Sequence, residues 1–147
     1  MSTFRTSRAG ARIDGYSQAV RSWACKECHL FTSIKRPACG YCGHREFHYF
    51  GSGREAKRYG ELLLLVAARV IKDVTVHPRF PLNVPMHDSH LIAEIGSYEA
   101  DFSYVETDIE QFVVEDCKPR DPKAVDPLAR WKIRHFESEY GIKVRIV

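Results

Sequence analysis

The sequence predicts an α/β protein: two helices and a mixed sheet in the order helix, strand, strand, strand, helix, strand, preceded by a small cysteine-held ribbon. Three observations carry this. Cys25-x-x-Cys28 and Cys39-x-x-Cys42 stand close together near the start of the chain. Apolar residues recur at helical spacing after Ser52 and again after Asp126. Segments that alternate between apolar and polar residues fill most of the rest, Tyr98 to Val105 most clearly.

With 147 residues the chain has room for one modest core and a small appendage. Its 44% hydrophobic and 28% charged residues are ordinary for a soluble globular protein. A net charge of +3 permits nucleic-acid binding without arguing for it. Arg5, Arg8 and Arg12 are followed by no apolar run, so no signal peptide is read. The greasiest stretch, Leu62 to Ala68, is too short to span a bilayer. The expectation is a soluble, cytoplasmic protein with no membrane partner.

Residues 1–22 are rich in Ser, Gly and Arg, with Asp14 the only acid. They read as a basic arm, either a frayed tail or a segment that touches phosphates. Residues 23–49 form the second signal. Four thiolates in two close pairs can enclose a tetrahedral zinc, each two-residue spacer letting a turn aim both sulfurs at one point. Gly40 and Gly43 supply permissive backbone for such turns. Inert reduced thiols and two disulfides are the other readings, the latter poorly matched to a chain without an export signal. Cys25, Cys28, Cys39 and Cys42 fill the shell, so this Zn²⁺ is expected to be structural. His29, His44 and His48 are left as surface residues or phosphate contacts. Lys26, Lys35, Arg36 and Arg45 with Trp23, Phe31 and Tyr41 can grip nucleic acid, or the ribbon only braces the fold.

From residue 50 to 147 the chain changes character. Ser52-Gly53-Arg54-Glu55 has the capping-box pattern, and Ala56, Tyr59, Leu63, Val66 and Val70 then define a buried helix face. Capping alone explains Glu55, although the residue can also reach the inner side of the first turn. Ile71 to Leu82 reads as a strand that bends or runs along an edge, since it contains Pro78 and Pro81. Asn83 to Ser97, with His87, Asp88 and His90, reads as a mobile loop without assigned chemistry. Tyr98 to Val105 is one strand with Tyr98, Ala100, Phe102 and Tyr104 on one face and Asp101 on the other. Glu106-Thr107-Asp108 turns the chain and Gln111 to Lys118 returns, a hairpin that can set Asp101 opposite Asp116. Asp126-Pro127 opens a second helix with Ala129, Ile133, Phe136 and Tyr140 inward, Gly141 caps it, and Ile142 to Val147 closes the chain as a strand.

Val113-Val114-Glu115-Asp116-Cys117-Lys118 is the stretch that suggests chemistry. Two valines enter a core, yet the strand ends on a carboxylate and an ammonium that share a face, because side chains alternate. Such a pair suits phosphodiester hydrolysis: the carboxylate binds a hard divalent cation and the lysine orients or activates a water. Asp-x-Lys is a common tripeptide, and a solvated strand end is the bland alternative.

Order and residue placement together resemble the core of the PD-(D/E)xK nuclease superfamily, which includes restriction endonucleases and Holliday-junction resolvases. More closely, Phe50-x-Ser52-x-x-Glu55-Ala56-x-Arg58-Tyr59, Pro78-x-Phe80, Tyr98-x-Ala100-Asp101-Phe102-x-Tyr104, Val113-Val114-Glu115-Asp116-x-Lys118 and Tyr140-Gly141-Ile142 are similar to a family of small phage and prophage proteins grouped there. The resemblance spans roughly residues 50 to 147. It implies a restriction-endonuclease-like core in which Asp101 and Asp116 ligate Mg²⁺ (or Mn²⁺), Lys118 stands beside the attacking water, and Glu55 is an outer ligand or water holder. Ala100 replaces the superfamily's proline, and Pro119 stands where the phage family has glycine. Glu115 faces away if the strand is regular, whereas a bulge exchanges its role with Asp116.

The expected function is therefore a phage-type, metal-dependent DNA endonuclease, working in the bacterial host's cytoplasm if phage-encoded. Arg120, Lys123, Arg130, Lys132 and Arg134 follow the active strand as candidate backbone contacts, a solvated helix face being the alternative. A branched-DNA resolvase with the same chemistry and a non-catalytic, nucleic-acid-binding ribbon protein are the rival readings. A homodimer is expected for paired cuts, but no residue pattern reveals one.

Overall fold

The computed structural model describes residues 21–87, 90–119 and 121–147. The arm up to residue 20, Asp88 and Arg120 therefore lie outside the described residues. The chain is mixed α/β, and it divides into two compact units, one reaching to Gly60 and the other Glu61–Val147.

In the first unit β1 (Ser22–Cys25), β2 (Phe31–Thr32) and β3 (Phe47–Phe50) form an antiparallel sheet in the order β2-β1-β3. A module this small cannot bury many aliphatic residues, and its interior is aromatic instead. Phe50 lies 5.2 Å, ring to ring, from Tyr59, and Phe31 stacks on Phe50 at 6.2 Å. His48 meets Tyr59 edge-on, and His29 Nδ1 is 3.0 Å from the Tyr59 hydroxyl. His48, half-buried, is thus a packing partner of this ring cluster, while His29 is exposed as expected and touches the cluster from the surface.

Helix α1 (Gly53–Ala67) begins where the capping box predicts. Ser52 Oγ accepts from the Glu55 amide at 3.2 Å and donates to Glu55 Oε1 at 2.8 Å. Its buried stripe is Ala56, Tyr59 and Leu62, while Val66 and Val70 are exposed. The expected face holds at Ala56 and Tyr59, Leu63 is half-buried, and its continuation through Val66 and Val70 is corrected, because four consecutive leucines at 62–65 satisfy the apolar pattern in any phase. Arg69, at φ 59°, closes the helix in a left-handed turn with Val70 N donating to Leu65 O at 3.0 Å.

The second unit holds a four-stranded sheet in the order β4-β7-β8-β9, built from β4 (Ile71–Val76), β7 (Phe102–Glu106), β8 (Gln111–Asp116) and β9 (Val144–Ile146). A separate hairpin pairs β5 (Arg79–Pro85) with β6 (Ile92–Glu99). The segment 83–97 is thus mostly strand rather than loop. Each of the two long predicted strands breaks into two at matching places. Pro78 has no amide to donate, and His77 adopts φ 52°, so β4 turns into β5 there. The facing strand breaks at Ala100–Asp101, held by His77 N to Asp101 O at 2.9 Å and Ala100 N to Pro78 O at 3.1 Å.

Helix α2 (Pro127–Tyr140) carries the chain from β8 to the parallel β9. Asp126 caps it by accepting from Ala129 N, Pro127 occupies its first turn, and Gly141, at φ 68°, ends it. Its inner face meets a core of Leu82, Tyr98, Ala100, Val114 and Phe136, with Phe80, Ile133, Ile142 and Val144 packed around it. Phe136 sits at the centre, 4.8 Å from Phe80 and 5.1 Å from Tyr98.

Candidate functional site

The cysteines make two matching turns. His29 N donates to Cys25 O and Cys25 N to Leu30 O; in the second turn Gly43 N donates to Cys39 O and Cys39 N to His44 O. The residue after each second cysteine is left-handed, His29 at φ 59° and Gly43 at φ 77°. Of the two glycines expected to relax these turns only Gly43 does so, and His29 takes the strained position in the first turn. The four sulfurs all lie within 4.8 Å of one another, with Cys25–Cys42 at 3.6 Å and Cys28–Cys39 at 3.5 Å. All four are free thiols. A tetrahedral zinc about 2.3 Å from each sulfur sets the sulfurs about 3.8 Å apart, so the cluster has the size of such a metal site. Amides of Cys42 and Tyr41 pull the Cys39 thiol down to about 6. The Leu30 amide lowers Cys28, but burial and the other three thiols together push it up to about 12. Four crowded sulfurs cannot all hold protons or all lose them cheaply, and a divalent metal relieves that conflict.

On the second unit, β7 and β8 pair in regular register from Phe102↔Glu115 to Glu106↔Gln111. The ladder ends there, with Asp101 just before β7 and Asp116 the last residue of β8. Without a bulge here, consecutive carboxylates on β8 turn to opposite faces. Glu115 accepts from the Tyr104 hydroxyl at 2.9 Å, and Asp116 accepts from the Tyr98 hydroxyl at 3.1 Å. Tyr98 and Tyr104 therefore do not share a face as predicted, because the break at Ala100–Asp101 reorients the strand.

Asp116 is 1% exposed. Its Oδ1 lies 2.9 Å from Lys118 Nζ, yet no donor among the described residues is aligned for a hydrogen bond to it. The lysine contact is thus an ion pair rather than a directed hydrogen bond. Asp101 accepts from Cys117 N at 2.6 Å through Oδ2, which ties its carboxylate to the strand carrying Asp116. Burial, then the charge and hydrogen bond of Asp116, push the Tyr98 phenol well above its usual range, so it stays a donor. Lys118 N donates to Val147 O and Val147 N to Asp116 O, so β9 fixes the backbone beyond the end of β8.

Beside Lys118 opens a cleft of about 580 Å³. Arg130 and Arg134, one helical turn apart on α2, line it with Lys118. Lys123 is exposed outside this lining and Lys132 is half-buried, so the structure brings together only part of the predicted basic set.

Glu55 lies in the first unit, where both carboxylate oxygens serve the helix start: Oε1 accepts from Ser52 and Oε2 from Gly51 N at 3.3 Å. One residue the sequence did not flag is His77, which offers a ring nitrogen within 4.8 Å of an Asp101 carboxylate oxygen. A histidine inside a strand pattern carries no local signal, and only the break at Pro78 brings it there. No helix among the described residues is long and apolar enough to cross a membrane. No family model, curated protein or solved structure matches this chain.

Proposed function

We propose that the protein is a divalent-metal-dependent DNA endonuclease with a PD-(D/E)xK-type core and a structural zinc ribbon. The single observation that carries this reading is the buried Asp116, with an oxygen lacking an aligned donor, in ionic contact with Lys118 and one strand from Asp101. Burying a carboxylate costs several kcal/mol even when paired, so a strand end that keeps one half-satisfied is suited to accept a cation. The element order supports it too: an antiparallel hairpin, then a helix leading to a parallel strand beside the catalytic one.

Hard oxygen donors fit Mg²⁺ or Mn²⁺, and Asp101 and Asp116 are the residues that would hold the ion. The chemistry supplied with it bound is polarisation of a phosphodiester oxygen and acidification of a water. The chain's own groups do the rest. Tyr98 fixes Asp116 from behind, and the Cys117 amide fixes Asp101. Lys118, partly open to the cleft, orients the attacking water and stabilises charge growing on the phosphoryl oxygens. Arg130 and Arg134 hold flanking phosphates. On the first unit four thiolates leave no open coordination position, so zinc there has a structural role.

The test is incubation of zinc-loaded protein with labelled DNA, with Mg²⁺ or Mn²⁺ added or withheld. Cleavage is expected only with the added ion, and mild chelation should abolish it while zinc stays bound. Cleavage without free divalent ion, or none with it on any DNA, refutes the proposal.

A further inference from the structure

The cleft beside Lys118 has two kinds of wall. Lys118, Arg130 and Arg134 give it cationic groups. Val125, Ile133, Ile146 and Val147 give it an aliphatic surface. Ile146 is 52% and Val147 38% exposed, an apolar surface left open to water inside a concavity. Among the described residues the acidic side chain in the lining is Glu137, which accepts from Lys143 Nζ at 2.8 Å and Val144 N at 3.0 Å. With Lys118 paired to Asp116, Arg130 and Arg134 keep the lining cationic.

A duplex backbone does not match this surface. Paired DNA presents phosphates and sugars outward and keeps its bases stacked, so it can use the cationic groups but not the aliphatic surface. A nucleotide out of the stack offers both parts at once, a flat apolar base and a flanking phosphate. A cavity of about 580 Å³ is within the range of small-molecule sites and can hold one such unit. Arg130, Ile133, Arg134 and Glu137 form one stripe of α2, so a single helix face offers cationic groups and an aliphatic contact together.

We infer that this cleft receives an unpaired nucleotide, so that the substrate is DNA with an unstacked base, at a flap, gap or bulge, rather than intact duplex. The inference rests on the endonuclease reading and names the substrate of that same site.

The test separates binding from cleavage. Zinc-loaded protein, with Ca²⁺ in place of Mg²⁺, is titrated into three labelled DNAs of one sequence: a duplex, the duplex with a one-nucleotide bulge, and the duplex with a short flap. The unpaired base is 2-aminopurine. Bulge and flap are expected to bind at least about tenfold tighter than the duplex, with fluorescence rising as the base leaves its neighbours. Ile133→Phe should fill the cleft and erase that preference without weakening duplex binding. Val125→Phe, on the loop before α2, does the same if Ile133→Phe fails to fold. Arg130→Gln with Arg134→Gln should weaken binding to all three and reduce the salt slope by about two. Equal binding of all three DNAs, or variants that keep the preference, overturns the inference even if Mg²⁺ then supports cleavage. Preference without cleavage under Mg²⁺ or Mn²⁺ refutes the nuclease reading and leaves the cleft assignment standing. Binding to no DNA refutes both.

Discussion

Replacing Asp116 by Asn removes a charge and almost no volume, which makes it the sharpest probe of the proposed site. In the metal-free protein three effects compete. Tyr98 keeps an acceptor, but a charge-assisted hydrogen bond of about 1.5–3 kcal/mol becomes a neutral one of about 1 kcal/mol. The ionic contact with Lys118 is lost; that side chain is 24% exposed, so water takes over part of its solvation. Against these losses stands release of the cost of burying a carboxylate that is 1% exposed, an effective several kcal/mol. The terms nearly cancel, with relief of the buried charge the largest. Asp116→Asn should therefore melt within about 5 °C of wild type, or higher, without divalent ions. With Mg²⁺ the wild type should gain stability and the variant should not. Turnover should fall at least about a thousandfold, or about 4 kcal/mol of transition-state stabilisation. Melting curves with and without Mg²⁺, beside single-turnover cleavage, measure all three quantities. Wild-type cleavage by Asp116→Asn refutes the site. A loss of about 3–5 kcal/mol with no Mg²⁺ response in the wild type would show a structural ion pair instead.

Metal analysis of purified protein should find about one zinc per chain, and Cys39→Ser should lower both zinc content and melting temperature, because metal binding and folding of so small a ribbon are coupled. Metal-free protein with unchanged melting would contradict this. Glu55→Gln tests the helix start: the glutamine oxygen can still accept from the Gly51 amide and its Nε2–H can donate to Ser52 Oγ, so a purely capping Glu55 predicts full activity with little change of stability, and a severe loss of cleavage marks a ligand. Burial alone would raise Glu137, but hydrogen bonds from Lys143 and Val144 N, with the Lys143 charge, hold it below the usual 4.5. A depressed folded pKa contributes stability that is present above the unfolded value and lost as the pH falls through the folded one. Urea unfolding at pH 6 and pH 3.5 should show that acid loss, and Glu137→Gln should lessen it.

The sequence by itself determined what rests on local chemistry. Two Cys-x-x-Cys turns, the Ser52–Glu55 cap, the Asp126-Pro127 start and the Gly141 stop are set by a few adjacent residues, and each stands where its residues put it. The regular alternation of β8, which separates Glu115 from Asp116, follows from a period of two. The apolar run Leu62–Leu65 gave no phase, so only packing selected Leu62 as the buried leucine. The breaks at His77–Pro78 and Ala100–Asp101 face each other across the sheet. Proline announces one of them, but alanine and aspartate announce nothing, and the second break exists because the first has moved its partner strand. Tyr98 reaches Asp116, and His77 approaches Asp101, only as a result. The cleft likewise draws its lining from β8's end, α2 and β9, elements distant in sequence. Hydrogen-bonded turns are decided within a few residues, whereas which faces meet is decided by the whole unit burying its apolar surface at once.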